Sequence, residues 1–173
     1  ANDRVVIGDP NPHFLYGVNL GFDYKNFDLN MFFQGIGQKD RVIMDNFVRP
    51  FFDSSIFKHH LDYWTPENHN ASQPRLIWTD PNRNARSESD RYLENGSYFR
   101  LRNLQVGYTL PAAWFHGFVQ KARVYVNAEN LFTITSYSGY TPDVNSSNVY
   151  SRGFDEFIYP SNRTFMLGLN VTF

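Results

Sequence analysis

The sequence contains no cysteine, which excludes disulfide-stapled scaffolds and metal sites built from thiolates. It also lacks any run of about 18 apolar residues, so a transmembrane helix is excluded. Neither sign of charge dominates, because 16 lysines and arginines are mixed with 17 acidic residues along the 173 positions. With no basic stripe in the sequence, nucleic acid is not expected among the partners.

Aromatic residues are abundant, at 18% of the chain, with 17 phenylalanines and 11 tyrosines. Such residues favour strands and interfaces over helices. The mean hydropathy of -0.48 at first suggests a soluble protein. That inference fails for a barrel strand, since only alternate residues face lipid and an average over both faces hides them.

The segment 162–173 alternates between apolar residues and residues that are mostly small or polar. The apolar set is Phe165, Leu167, Leu169, Val171 and Phe173. This period of two predicts a strand with one face for lipid or a core and another for a wetter side. A soluble sandwich can also end in such a strand, so this segment alone leaves both architectures open.

The segment 13–24 predicts a second strand and favours the membrane. Its apolar face consists of Phe14, Tyr16, Val18, Leu20, Phe22 and Tyr24. Aromatic residues therefore occupy both ends of that face, and aliphatic residues lie between them. Two interfacial girdles around a hydrocarbon band require this order, whereas a sandwich core gives no reason for it.

Three further strands are predicted at 27–34, 98–110 and 122–134. Only Lys25 and Asn26 separate the first of them from the 13–24 strand, so these two strands should form a tight hairpin. Strand lengths near ten residues match a tilted strand that spans a membrane.

Polar residues interrupt the apolar face in two of these segments. Arg100 and Arg102 share the parity of the apolar residues in 98–110, and Asn130 interrupts the apolar face of 122–134. For the arginines, either a bulge switches the faces or the strand has already left the hydrocarbon. We favour the second, because arginine at the bilayer midplane costs about 2–4 kcal/mol and much less near an interface.

The links between the predicted strands alternate between short and long, as in barrels with short periplasmic turns and long outer loops. The links that follow Tyr24 and Leu110 are short, whereas those that follow Gly37 and Thr135 are long. If the last strand ends at the periplasmic face, the outer loops lie at about 37–97 and 136–161.

No motif predicts a metal site, a cofactor or a catalytic centre. Neighbouring His59 and His60, with His69 nearby, lack a carboxylate at a recognisable ligand spacing. The segment 80–91 begins like a calcium loop but has Ala85 and Arg91 where glycine and a bidentate acid are needed, which excludes an EF-hand and leaves only a weak ion site of another kind as an alternative. We therefore expect no metal, no cofactor and no enzyme activity.

Aromatic residues in the predicted outer loops are the candidate contacts for a substrate or a partner. They are Tyr63, Trp64, Trp78, Tyr137, Tyr140 and Tyr150, and they lie beside asparagine, aspartate and arginine. Aromatic faces beside polar groups can bind sugars or peptides. The alternative, which we favour, is that these residues pack the loops together or against a partner lipoprotein.

Several segments together resemble the C-terminal region of SusC/RagA-type TonB-dependent transporters of the Bacteroidetes outer membrane. They occur in the family's order and cover nearly the whole chain. They are Ile7 to Phe14, Asp28 to Gly35, Tyr63 to Asn68, Asn95 to Leu104, Gly107 to Pro111, Asn127 to Thr135, Tyr137 to Tyr140, and Arg163 to Phe173.

The resemblance implies an all-β fold, an antiparallel transmembrane barrel of the 22-stranded type, of which residues 1–173 supply about five C-terminal strands. The family's N-terminal plug is absent from these residues, and five strands leave two open edges that lipid cannot satisfy. The segment 165–173 would then be the closing strand and assembly signal. The parent protein would import glycans or other nutrients.

The resemblance also implies a set of partners. These are the rest of the same barrel and its plug, a SusD-like surface lipoprotein, TonB acting through the plug, outer-membrane lipid, and a glycan or peptide substrate. The expected location is the bacterial cell outer membrane.

Two other functions remain as alternatives. A soluble carbohydrate-binding β-sandwich would use the loop aromatics as its binding platform, and it would bury the apolar strand faces between two sheets. An outer-membrane barrel enzyme shares the architecture but has no positive support in the sequence.

Overall fold

A computed structural model describes residues 5–44, 47–51, 55–82, 89–115, 117–143, 149–155 and 159–173. The chain divides into two compact units. The sheet unit comprises Pro12–Gln38, Gly96–Ser136 and Tyr159–Phe173, and the loop unit comprises Ala1–Asn11, Lys39–Asn95 and Tyr137–Ile158. Among the described residues, no helix has the length and apolar character needed to cross a membrane.

Strands dominate the described residues. They are β1 (Phe14–Tyr24), β2 (Phe27–Gly37), β3 (Asp40–Ile43), β4 (Leu93–Asn95), β5 (Tyr98–Leu110), β6 (Lys121–Thr135), β7 (Phe154–Asp155) and β8 (Thr164–Thr172). Short 3-10 helices occur at Lys58–Leu61, Asp90–Tyr92, Ala112–Phe115 and Val149–Ser151.

The sheet unit is a five-stranded antiparallel sheet in the order β1-β2-β5-β6-β8. All five predicted strands are therefore confirmed, and the fold is all-β. The predicted hairpin is also present, because Tyr24 pairs with Phe27 and Lys25 takes the left-handed conformation, with φ 54°, that tight hairpin turns need.

Short and long links leave opposite ends of this sheet. The short β1–β2 and β5–β6 links leave from one end, where Phe27 pairs with Tyr108. The long links, 38–97 and 136–163, leave from the other end, where Tyr98 pairs with both Ile36 and Thr135.

A β-bulge at Arg102 corrects our interpretation of the two arginines in β5. Phe32 pairs with Asn103 and Phe33 with Leu101, so Arg102 is an extra residue relative to β2. The bulge switches the alternation of faces, and the strand continues through both arginines as one element. The bulge, which was the alternative that we had not favoured, is therefore present.

The same irregularity explains Asn130. Relative to β5, the register of β6 shifts between the pairs Leu101–Phe132 and Asn103–Glu129, and Asn130 lies at this shift with φ 52°. Asparagine adopts this left-handed conformation more readily than most residues. Its side chain donates to the backbone oxygen of Asn162, 3.1 Å away.

The loop unit contains a small three-stranded sheet in the order β4-β3-β7. β3 pairs with β4 in antiparallel and with β7 in parallel orientation. Ile43, Val48 and Tyr137 form its buried apolar cluster, against which Phe47 and Tyr92 pack. These short strands were not predicted, since two to four residues show no useful periodicity.

Candidate functional site

One face of the five-stranded sheet is apolar across every strand. The pairing register places only apolar residues or glycine on this apolar face. Its members on the central strands include Leu29, Met31 and Phe33 of β2, Leu104, Val106 and Tyr108 of β5, and Val124, Val126 and Ala128 of β6. The face therefore extends the pattern that the sequence showed most clearly in the 13–24 segment.

The apolar face is exposed at both edges of the sheet. Leu20 of β1 is 49% exposed, and Leu167 of β8 is 77% exposed. A sandwich would seal these side chains between two sheets, so their exposure in the described structure argues against the soluble sandwich alternative. A contiguous apolar surface of this kind marks an interface with protein or membrane.

Aromatic rings form two groups on the apolar face, one toward each end of the strands. At the short-link end, the rings of Phe27 and Tyr108 lie 4.6 Å apart between centroids. At the long-link end, Phe99 stacks at 5.3 Å on Phe33 and at 6.3 Å on Tyr16. This arrangement across several strands matches the two aromatic girdles of a membrane barrel.

The predicted closing strand lies at one edge of the sheet. Four members of its apolar set, Phe165, Leu167, Leu169 and Val171, pair with apolar residues of β6 and are exposed. Phe173 follows the last residue of β8 and is 78% exposed.

The opposite face of the sheet, which we call the polar face, holds most of its polar side chains. Because of the bulge, Arg100 lies on this face, and its Nε donates to Thr133 Oγ1 at 2.8 Å. Arg102 donates to Gln34 Oε1 at 2.6 Å. Because both guanidinium groups bond to residues of the polar face, neither places a charge on the apolar face.

An ion pair joins three strands across the polar face. Arg123 Nε donates to Asp28 Oδ1 at 2.8 Å, and Arg123 Nη2 donates to the second oxygen of Asp28. The same Nη2 also donates to Gln105 Oε1 at 3.0 Å. Gly107 lies beneath this group, and a side chain there would collide with both charged partners.

Removing the carboxylate of this ion pair should destabilise the sheet. We expect Asp28→Ala in the full-length protein to cost about 1–3 kcal/mol, because Arg123 loses two charge-assisted hydrogen bonds on a face where both side chains are mostly covered. The temperature at which the folded form converts to the unfolded form on an SDS gel measures this loss of stability.

Asp23→Ala is the matched control for this prediction. Asp23 pairs directly with Asp28 and is exposed, so its removal relieves repulsion between like charges. The control should melt at the same temperature as the wild type or higher. Equal losses in both variants would contradict a stabilising ion pair.

The candidate contact residues are dispersed within the loop unit. Trp64 is 40% exposed and stacks on His69, with ring centroids 5.8 Å apart. Trp78 is 67% exposed, and its ring centroid lies 5.2 Å from that of Phe51. Tyr63 is half-buried, whereas Tyr140 and Tyr150 are 64% and 92% exposed.

The loop that presents Trp64 is held by local hydrogen bonds. Asp62 accepts from the backbone nitrogen of Ser72 at 2.9 Å and from Asn68 Nδ2 at 3.1 Å, and the Ser72 bonds hold the pKa of Asp62 below its usual value. Trp64 itself donates its backbone hydrogen to Gln73 at 2.9 Å. Trp64 therefore lies on an ordered loop.

Tyr137 does not fit the set of candidate contacts and is a correction. It is 6% exposed, and its hydroxyl donates to Asp155 in the interior of the loop unit. Burial and this hydrogen bond raise the pKa of Tyr137 above its usual value. For Tyr137, the alternative that these aromatics pack the loops together describes the structure.

The paired histidines have structural partners. Both His59 Nε2 and His60 Nε2 lie within hydrogen-bond distance of the Phe47 carbonyl, at 2.7 and 3.0 Å. His60 is buried, which lowers its pKa, and its Nδ1 accepts from the backbone nitrogen of Phe57 at 3.1 Å.

The described residues bring together no group of three or more histidine and acidic side chains that could hold a metal ion. Ala85, in the segment compared with a calcium loop, lies outside the described residues.

Lys39 should make the stability of the loop unit depend on pH. This side chain is 5% exposed, and burial, with the nearby charge of Arg41, lowers its pKa to about 8. The unfolded chain then binds the proton more tightly, so stability rises as the pH increases from about 8 to about 10. Above pH 10, Tyr92 and Tyr137 act in the opposite direction, since their pKa values are raised.

The substitution Lys39→Met tests this dependence. Protease resistance of the segment 39–95 in the full-length protein should increase at pH 7 and should lose its rise above pH 8. The exposed control Lys58→Met should retain the wild-type profile. A Lys39→Met profile identical to the wild type would contradict the prediction.

Sequence reasoning missed Phe32, which lies on the polar face of β2 between Asn19 of β1 and Asn103 of β5. The available signal was a single aromatic residue at a polar parity position, flanked in sequence by Asn30 and Gln34. Its asparagine neighbours become visible only through the strand register.

Known proteins are similar to this chain in sequence. The TonB-dependent receptor P3 of Formosa agariphila is 37% identical over 99% of the chain, which spans 17% of that receptor. The TonB-dependent receptor SusC of Bacteroides thetaiotaomicron is 26% identical over the whole chain, which spans 16% of SusC. No protein-family model matches the chain.

Solved structures are also similar to this chain in fold. The RagAB peptide importer in its closed-closed state superposes with a TM-score of 0.80 at 27% identity, over 97% of this chain and 18% of that one. Its open-open state gives 0.78 at 28% identity, over 94% and 17%. The chain matches a SusC/RagA-type segment of a TonB-dependent receptor. The five-stranded sheet is accordingly a fragment of a larger TonB-dependent barrel.

Proposed function

We propose that the chain is the C-terminal wall of a SusC/RagA-type outer-membrane importer of glycans or other nutrients. The observation that carries this proposal is a five-stranded antiparallel sheet with one continuous exposed apolar face and one polar face. Lipid accepts the first face and a hydrated lumen accepts the second. A transport role, without enzyme activity, fits the relatives, which are named as receptors and importers.

The sheet edges support placement within a larger barrel of the outer membrane. β1 and β8 are the edge strands. Unpaired backbone groups are costly in lipid, so both edges need neighbouring strands of the same barrel. In this arrangement β8 with Phe173 is the closing strand and assembly signal, the links at about 37–97 and 136–161 are outer loops, and the plug lies elsewhere in the parent protein.

The same relatives support a set of proposed partners. RagAB and SusC support a SusD-like surface lipoprotein over the outer loops, with TonB supplying energy through the plug. Tyr63, Trp64, Trp78, Tyr140 and Tyr150 are the proposed contacts to the lipoprotein or the cargo. The exposure of Trp64, Trp78, Tyr140 and Tyr150 supports this role.

Purification of the full-length receptor from outer membranes tests the proposal. A tag on the receptor should retain a SusD-like lipoprotein in roughly equal amounts, and deletion of the receptor should abolish growth on one nutrient without affecting growth on monosaccharides or amino acids. Recovery of a soluble, monomeric receptor from the periplasm or cytoplasm would refute it.

A further inference from the structure

The centre of the polar face holds one aromatic ring among uncharged amides. Phe32 lies directly opposite Asn19 on one side and Asn103 on the other. Opposed residues in antiparallel strands have Cβ atoms about 4.5–5.5 Å apart, so both amides are close to the ring. The register places Asn30, Gln105 and Asn127 in the neighbouring row. Together these six side chains line a hollow of about 340 Å³.

The amides of this hollow have unused hydrogen-bonding capacity. Within the described part of the chain, the side chains of Asn19, Asn30, Asn103 and Asn127 bond to no other residue. Each amide offers one acceptor oxygen and two donor hydrogens. Asparagine is disfavoured in strands, so the stability of the sheet does not explain four of them on adjacent strands of one face.

The charges around the hollow disfavour anionic ligands. The hollow is lined by no charged side chain. Nearby cations are already engaged, since Arg123 bonds to Asp28, and Arg102 bonds to Gln34. Glu129, paired with Asn103, lies just outside the hollow and would repel a carboxylate or sulfate.

On the β1 side, the residues that face the hollow include two glycines. Gly17 and Gly21, which flank Asn19 at the same parity, carry no side chains. A Cβ at Gly17 would lie 3.2 Å from Phe32 Cε2, so any larger residue there would crowd the ring. Gly17 therefore leaves room for the ring to extend over β1.

We infer that this hollow is a subsite for an uncharged oligosaccharide. The π-face of Phe32 carries partial negative charge and accepts the C–H face of a sugar ring. The surrounding amides can both donate to and accept from hydroxyl groups, which themselves do both. The inference rests on the proposed import function and assigns a class of cargo to one part of the barrel wall.

Binding to the full-length receptor in detergent tests this subsite. The probes are neutral malto-, laminari- and xylo-oligosaccharides, an oligogalacturonate of similar length and an end-capped uncharged peptide, each measured by calorimetry. At least one neutral oligosaccharide should bind, and the oligogalacturonate should bind more weakly. Phe32→Leu and Asn103→Ala should each weaken neutral-sugar binding by roughly 3- to 10-fold.

Two controls separate the subsite from general damage to the barrel. Phe32→Tyr retains the ring and should bind within about twofold of the wild type. Asn170→Ala removes an amide of the polar face that pairs with Arg123, away from the hollow, and should leave affinity unchanged. The heat-resistant folded band on an SDS gel checks that each variant is folded.

Three results would overturn the inference. They are no binding of any neutral oligosaccharide, tighter binding of the oligogalacturonate, or equal effects of Asn103→Ala and Asn170→Ala. Binding of the capped peptide alone, weakened by Phe32→Leu, would assign the hollow to peptides instead. In all of these cases lipoprotein retention and nutrient-dependent growth would still test import separately, so the two proposals can fail independently.

Discussion

Leu167→Arg should strongly lower the folded yield of the full-length protein. Leu167 is 77% exposed on the apolar face and pairs with Val126, midway along β8. If lipid covers this face, an arginine there costs about 2–4 kcal/mol, a shift of about 30- to 700-fold in the folding equilibrium. The measurement is the fraction of receptor that inserts into lipid vesicles as the SDS-resistant folded form.

Met166→Arg is the matched control, because Met166 is the preceding residue of the same strand and lies on the polar face opposite Asn127. Its arginine would extend into a hydrated lumen, so insertion should remain close to the wild-type level. If Leu167→Arg inserts as well as Met166→Arg, the lipid-facing assignment of the apolar face is wrong.

The sheet could be predicted from the sequence because the signals that specify its strands are local. A period of two over about ten residues identifies a strand and its two faces, and the Lys25-Asn26 turn fixes one register directly. The position of the bulge was harder to predict from the sequence. The parity of Arg100 and Arg102 indicated an irregularity in the strand. Only the pairing with β2 shows that Arg102 is the additional residue.

Burial in the loop unit could not be predicted in the same way. Tyr137 and Tyr150 each precede a serine in the sequence, yet they are 6% and 92% exposed. The difference arises from contacts between distant segments. Val42 of β3, for example, pairs with Phe154 of β7. Short strands joined at such separation leave no periodic signal.

The loop unit therefore depends on a few buried polar groups rather than on a large apolar core. Arg41 and Asp155 are each 1% exposed, and both act electrostatically on Tyr137. Arg41 also donates to the Pro142 carbonyl at 3.4 Å. Residues of both long links thus meet in one polar interior, and this interior holds the loops in a defined conformation.

Asp155→Ala should destabilise this interior by about 3–5 kcal/mol. Asp155 is the only buried acid among the described residues of the loop unit, where Lys39 and Arg41 are buried cations. Its removal takes the acceptor from the Tyr137 hydroxyl and the negative charge that shares this interior with buried Arg41. Tyr137→Phe removes only the hydroxyl and should cost less.

Hydrogen exchange in the full-length protein measures this destabilisation within the loop unit. The backbone amides of Val42 and Met44 bond to the carbonyls of Gly153 and Asp155, so their protection measures the β3–β7 pairing. Protection should fall by about 100-fold or more in Asp155→Ala, since each 1.4 kcal/mol is a factor of ten. The exposed control Glu67→Ala should show no change. Unchanged protection in Asp155→Ala would mean that the loop conformation does not depend on this buried acid.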